Sequence, residues 1–320
     1  MKTSQTTSCR PYRASVIIPT YNRRDLLNHT LQTLVKQTLS QTDFEVIVAD
    51  DGSSDDTFAL VQHYQQTGQL AIRYCWQPDL GYRPGSARNM GILLAQSELC
   101  ILIDSGVLLA PDAVEQHIRM HTLAERPLAL IGYVYGFEQF DTHGDELKRL
   151  INPGDMAHTI SLLQQSGDFA DIREAYYQQY NDDLIDLPAP WIFFWTCHVS
   201  ARRQDFINAG LFDVGFDGIW GCEDNDMAIG LQEAGTTIVL NRQAIGVHHP
   251  HDKGSEEKFR LSHQNRVYLH QKRNTYATYL LQKAVGEECS DLNERILTMP
   301  LVAPRTVATT PAKAALYETV

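Results

Sequence analysis

Basic residues are in short supply. The 320 residues include 27 lysines and arginines against 39 acids, a formal net charge of −12 at pH 7. That balance argues against a general affinity for nucleic acid or anionic lipid, since both present dense negative charge that basic patches normally neutralise. Any phosphate the protein binds must therefore be met by local groups. Cysteine is sparse too. The six, at positions 9, 75, 100, 197, 222 and 289, form no Cys-x-x-Cys pair and none of the short spacings of a zinc site or disulfide framework, so they read as reduced, mostly buried thiols. The opening MKTSQTTSCRPYRAS has no apolar signal core, and no later run approaches the roughly 20 apolar residues needed to cross a bilayer; the expected location is the cytoplasm. Solenoid-period repeats and low-complexity tracts are missing as well. What is present is 43% hydrophobic residues, enough for a substantial core in one large domain or two small ones.

After a polar lead over residues 1–13, apolar β-rich runs alternate with helical patterns. Strands are expected at 15–19, 44–50, 71–76 and 99–104, with helices near 24–37, 55–67 and 86–96 and a further helix opened by Pro111 in its first turn. This βαβ rhythm predicts an α/β fold with a mostly parallel central sheet flanked by helices. In open α/β sheets ligands sit outside the carboxyl ends of the strands, so Thr20-Tyr21-Asn22, Asp50-Asp51-Gly52 and Asp104-Ser105-Gly106 should converge on one crevice. Residues 136–190 are polar, with few periodic apolar positions, and read as a variable insert punctuated by Asn152-Pro153-Gly154 and Pro188-Ala189-Pro190. A second patterned block follows: an aromatic strand over 192–200 that includes Trp195, a short helix near 205–209, a helix over 223–234 and a strand over 236–240. The expected division is a first half to residue 135, a second half over 136–254, and a helical extension over 255–320 that loosens beyond Pro300. This extension is expected to pack across the body or to mediate association into a homo-oligomer.

Several residues carry chemistry beyond this frame. Asp50-Asp51 ends a strand beside the turn Gly52-Ser53-Ser54, where carboxylates either cap the next helix or accept hydrogen bonds from a nucleobase or ribose. Asp104 closes a strand of apolar residues and Cys100, a costly place for a charge unless it meets a hydroxyl, a cation or a backbone donor. Within Gly81-Tyr82-Arg83-Pro84-Gly85-Ser86-Ala87-Arg88-Asn89, small residues permit a tight loop into a helix, and Arg88 either grips a diphosphate through its planar fork or stands alone on the surface. Trp220-Gly221-Cys222-Glu223-Asp224-Asn225-Asp226 places three carboxylates in a first helical turn. Dipole matching explains one or two of them. The preceding Trp220-Gly221 suits the apolar face of a sugar ring, and an acid beside it suits removal of a hydroxyl proton. His248, His249 and His251 follow an apolar strand, either as ligands for a divalent metal or as a solvated turn.

Taken together, Ser15-Val16-Ile17-Ile18-Pro19-Thr20-Tyr21-Asn22, Ala49-Asp50-Asp51-Gly52-Ser53 and Ala87-Arg88-Asn89-Met90-Gly91 closely resemble the donor half of family 2 glycosyltransferases with the GT-A fold. Arg202-Arg203, Gly210-Leu211-Phe212-Asp213 and residues 220–224 resemble the acceptor half of chondroitin-polymerase-type and β-1,4-galactosyltransferase-type enzymes, so the resemblance covers roughly residues 14–260. It implies an inverting transferase acting on a carbohydrate or small-molecule acceptor. It also implies that Pro19, Thr20, Tyr21, Asn22 and Asp51, with Asp50 and Ser105, line a UDP-sugar site, and that Arg88 helps with base or phosphate. Asp224 is then the general base, Glu223 contacts acceptor hydroxyls, and Trp220, Gly221 and Trp195 lie on the acceptor side.

The chain also departs from the pattern. The family's Asp-x-Asp, whose second Asp binds manganese or magnesium, is here Asp104-Ser105-Gly106; Asp104 matches the first Asp, which commonly touches ribose. The resemblance leaves a histidine-dominated metal site built from Asp104 with His249, or with His248 or His251 as the matching residue. Cys197-His198 replaces a common Gly-Asn, which implies an altered acceptor pocket. The rival reading is a nucleotide-sugar-binding protein that has lost transfer through the Gly106 change, and residues 220–224 speak against it. A sugar nucleotidyltransferase should show a glycine-rich phosphate loop after the first strand, and Pro19-Thr20-Tyr21-Asn22 is not one.

Overall fold

The computed structural model describes residues 12–137, 143–251, 256–284 and 291–299. The expected lead over 1–13 and the loose end beyond Pro300 fall almost wholly outside that set. The first half follows the expected rhythm closely: β1 (Ala14–Thr20), α1 (Arg24–Val35), β2 (Phe44–Asp50), α2 (Thr57–Thr67), β3 (Ile72–Trp76), α3 (Pro84–Leu94) and β4 (Leu99–Ile103). β1, β2 and β4 are buried along their whole length, as continuous apolar runs covered on both faces should be. Pro19, which donates no ladder hydrogen bond, lies in β1 beyond the stretch paired with β4.

The chain continues through β5 (Val107–Leu109), α4 (Ala113–Leu123) and β6 (Leu128–Tyr135). Next come α5 (Gly144–Leu150), α6 (Met156–Ser166), α7 (Glu174–Gln179), β7 (His198–Arg202), α8 (Arg203–Asn208), α9 (Glu223–Glu233) and β8 (Thr237–His248). One eight-stranded sheet results, in the order β3-β2-β1-β4-β7-β6-β8-β5. It is parallel from β3 to β4 and mixed beyond, because β7 runs antiparallel to both β4 and β6 and β5 runs antiparallel to β8. Hydrophobic clusters cover its two faces, one under α1, α2, α4 and α6, the other under α3, α8 and α9.

Two expectations are corrected. The aromatic run at 192–200 is not one strand: Pro190 opens a short 3-10 turn, Pro190–Phe193, and only His198–Arg202 joins the sheet. The run is apolar because it is enclosed. The buried Arg173 donates to the Phe193 carbonyl at 2.8 Å and lies over the Trp195 ring, and a short buried apolar run has the same pattern whether it is strand or turn. The insert at 136–190 is likewise more regular than its polarity suggests, holding α5, α6 and α7; Asp155 caps α6 by accepting from the His158 amide.

Among the described residues, the extension holds α10 (Glu256–Arg273), α11 (Tyr276–Lys283) and α12 (Leu292–Leu297). α10 packs across the body against α9 and the segment before it. Among the described residues, no helix is long and apolar enough to cross a membrane.

Candidate active site

The tips of β1 and β2 are tied together first. Asp50 is fully buried, its carboxylate accepting from the Gly52 and Ser53 amides and from the Tyr74 hydroxyl. It therefore holds the turn and turns no oxygen toward the crevice. Gly52, at φ +96°, is required there: a Cβ would lie 2.4 Å from the Asp79 backbone nitrogen. Asn22 reaches across from β1, its side-chain oxygen accepting from the Ser54 and Asp55 amides. Asn22 is a brace, and Tyr21 is left exposed with its hydroxyl on Asp79 at 2.8 Å.

Asp51 faces the other way. It accepts from the Gln77 side chain at 2.6 Å and the Arg83 amide at 2.7 Å, and pairs with the Arg83 guanidinium at 3.2 Å. Burial pushes its carboxyl above the usual aspartate range, partly offset by Gln77 and Arg83. Thr20 is buried beside it with a hydroxyl that no protein group satisfies, an arrangement that asks for a ligand or water.

α3 connects this cluster to a second one. Pro84 begins the helix, and Gly91 lets it seat tightly on β1, because a Cβ there would meet Ile17 at 2.3 Å. That close approach sets Arg88 inside the molecule, 4% exposed. Its guanidinium pairs with Asp104 at 2.9 Å and lies 3.8 Å from Asp224 and 4.0 Å from Glu223. Burial works against its charge, but the three carboxylates outweigh it and hold Arg88 protonated. Arg88 Nε and Nη1 are buried without a hydrogen-bond partner. The next residue, Asn89, grips the Phe212 amide and carbonyl, each at 2.8 Å, fastening the segment before α9 to the first half.

Glu223 and Asp224 open α9 after Cys222, which sits in the left-handed region at φ 71°. Asp224 accepts from the Thr196 hydroxyl at 2.7 Å and the Thr196 amide at 3.1 Å, and Glu223 accepts from the Gly221 amide at 3.1 Å. Burial raises both acids; for Glu223 the neighbouring Asp224 adds to the rise, while Arg88 opposes it in both. Asp224 remains partly exposed. Asp226, the third acid of this turn, is buried in pairs with Lys272 and Arg273 and points away. Thus Asp104 at the tip of β4 and Asp224 at the start of α9 share one cation, as one crevice requires. From Arg83 to Arg88 the helix rises about 7.5 Å, which sets the spacing between the Asp51 cluster and the acid pair.

The histidines divide. His249 lies tilted against His29 of α1, with ring centroids 5.0 Å apart, while the His248 and His251 rings meet at 4.9 Å and His251 touches Arg23. The four proposed ligands Asp104, His248, His249 and His251 are therefore not one cage, and no group of three His, Cys, Asp or Glu side chains among the described residues is placed to hold an ion. Gly106 explains part of this. At φ +103° it occupies backbone space where an aspartate is strained, and its amide and carbonyl are committed to Thr30 and His249. As arranged, these side chains do not fit a divalent ion. On the acceptor side, the Trp195 indole is committed to the Ile192 carbonyl. Sequence reasoning did not single out Gln77, Arg83 or Thr196. Of these, only Arg83, next to the Pro that starts α3, carried a local signal.

A family model described as "Glycosyl transferase family 2" matches residues 15–174. Validoxylamine A glucosyltransferase of Streptomyces hygroscopicus subsp. jinggangensis (strain 5008) is 37% identical over 242 residues, 76% of this chain and 56% of its own length. Chondroitin synthase of Escherichia coli is 31% identical over 242 residues, 73% of this chain and 34% of its own. The chain spans about half the length of the validoxylamine glucosyltransferases it matches. Among solved structures, S. aureus TarS 1-349 in complex with UDP-GlcNAc aligns with a TM-score of 0.58 at 15% identity, over 90% of this chain and 76% of that one. The shared architecture is the GT-A fold.

Proposed function

The chain belongs to glycosyl transferase family 2, and from that premise we propose that it transfers a sugar, with inversion, from a UDP-sugar to an acceptor hydroxyl. The observation that carries the reading is Arg88, whose buried guanidinium joins Asp104 of the donor half to Asp224 of the acceptor half. Thr20, Tyr21 and Asp51 take the nucleoside, and the guanidinium of Arg88, whose Nε and Nη1 make no hydrogen bond, serves the diphosphate. The acceptor hydroxyl gives its proton to Asp224 while its oxygen bonds to the anomeric carbon, and the bond from that carbon to the diphosphate oxygen breaks on the opposite face, releasing UDP. Thr196 fixes the Asp224 carboxylate so that one oxygen geometry serves the step, and positioning of this kind supplies much of the rate.

Charge limits how the donor enters. Three carboxylates around one arginine would repel a diphosphate, and burial, which raises the pKa of Glu223 and so favours its neutral form, weakens that repulsion. Glucose and N-acetylglucosamine are the first donor sugars to test, since the relatives' names include a glucosyltransferase and a UDP-GlcNAc complex.

Screening UDP-, GDP- and TDP-sugars for hydrolysis and for protection against thermal unfolding, with manganese and with chelator, tests the proposal. UDP and UDP-sugars should protect, and some protection should persist in chelator because Arg88 and Asp51 are protein groups. Protection by no nucleotide would remove the reading.

A further inference from the structure

The segment 211–222 that leads into the acid pair has little regular structure of its own. Leu211 and Cys222 are non-glycine residues at φ 62° and 71°, Gly218 and Gly221 lie at φ 89° and 104°, and a single 3-10 turn, Val214–Phe216, interrupts it. Something outside must fix its shape. One face of α10 does so. Ser262 lies against Gly221, 3.6 Å from where a Cβ there would stand, and the Tyr268 ring meets Phe216 edge-on at 4.8 Å. The Tyr268 hydroxyl and Lys272 hold Asp213 at 3.0 and 2.7 Å, and Lys272 and Arg273 hold Asp226 of α9.

At the centre of this face stands Asn265, 4% exposed. Its side-chain amide donates to three carbonyls of the segment, Ile219 at 2.8 Å, Gly221 at 2.9 Å and Phe216 at 3.3 Å. The first two belong to the peptides on either side of the Trp220-Gly221 pair. The Gly221 amide in turn donates to Glu223, beside Arg88. A continuous chain of contacts therefore runs from Asn265, through the backbone around Trp220, to the acid pair.

We infer that Asn265 is a positioning residue for sugar transfer, and that α10 shapes the acceptor edge of the site by holding the peptides on either side of Trp220-Gly221. The inference rests on the transfer reading above. Loss of the amide removes its bonds to the Ile219 and Gly221 carbonyls and loosens the segment where four residues already occupy left-handed conformations.

The test compares the full-length wild type with Asn265→Asp, which cannot donate, Asn265→Ser, a milder change that keeps one donor, and Tyr268→Phe, which loosens the same helix at Asp213 instead. Hydrogen exchange over 216–222, calorimetric binding of UDP and turnover of UDP-glucose are measured. Exchange should quicken in the order Ser then Asp. UDP affinity should stay within about twofold, because Asn265 touches no donor-half group. The kcat should fall at least tenfold in Asn265→Asp with little change in KM for the donor, and Tyr268→Phe should keep kcat within about twofold. Wild-type exchange and kcat in both Asn265 variants would overturn the inference, as would losses of kcat and UDP affinity that simply follow Tm across all three. Should the wild type turn over no sugar nucleotide, the transfer reading fails, while the exchange measurement still decides whether Asn265 holds the segment.

Discussion

Arg88 is the residue on which the site turns. It is buried, contacts acids from both halves, and keeps Nε and Nη1 without a hydrogen bond. A lysine at this position would keep the charge and lose the planar fork. Arg88→Lys is therefore expected to weaken UDP binding about tenfold and turnover further, at least a hundredfold, measured by calorimetry and initial rates; unchanged UDP affinity would detach Arg88 from the diphosphate. Much of this was legible in the sequence. The run Ala87-Arg88-Asn89-Met90-Gly91 encodes a buried small residue, the arginine, a clamp on Phe212 and a close helix–strand contact, each visible as a residue type. Which of two adjacent acids faces the crevice was not legible: Asp50 and Asp51 look alike in sequence, and the pleat with the turn amides turns Asp50 inward. Thr196 was hidden because it approaches Asp224 from 28 residues away, through the buried aromatic turn.

At the scale of elements, backbone conformation decides what a motif can become. Gly106 lies between β4 and β5 at φ +103°, with ordinary space around a Cβ, since the nearest atom, on Leu26, is 3.6 Å away. Restoring the family's second aspartate by Gly106→Asp should cost about 1–3 kcal/mol through backbone strain. The prediction is a lower urea midpoint with no manganese-dependent gain in UDP affinity; a tighter, manganese-dependent site at wild-type stability would contradict it. β7 and α4 carry a second feature. His117 bonds to His198 at 2.9 Å, and His117 and His121 share the Ser200 hydroxyl at 2.8 Å. Burial lowers all three imidazoles, His121 to about 4, His198 to about 3 and His117 well below its ordinary value. A base whose folded value is depressed takes up protons on unfolding, so its contribution to stability is complete above pH 6.5, erodes as the pH falls below that, and is gone below the folded value. Each fully buried imidazole should cost on the order of 2 kcal/mol between pH 6.5 and 5. Denaturant midpoints should fall steeply across that window, and a flat profile would refute the assignment. The strands and helices of the first half were readable because each run is long and either continuously apolar or helically periodic. The aromatic turn was not, because enclosure on all sides erases periodicity.

For the molecule as a whole, the central claim is that two halves and a C-terminal helix meet at one crevice. The sheet brings the tips of β1, β2 and β4 together, the Asn89–Phe212 clamp draws the second half over them, and α10 fixes the segment that delivers Glu223 and Asp224. Sequence pattern predicted the convergence of the strand tips. It did not show which side chains of the C-terminal helix would reach the site, because those contacts run through polar groups such as Asn265 and Lys272. The most direct test is Asp224→Asn, near-isosteric but unable to take a proton, compared with wild type in sugar transfer and in UDP binding. A general base contributes about 10²–10⁴-fold to rate. The account predicts a loss of that size in transfer with UDP affinity within about twofold of wild type; equal transfer rates in the two proteins would contradict it.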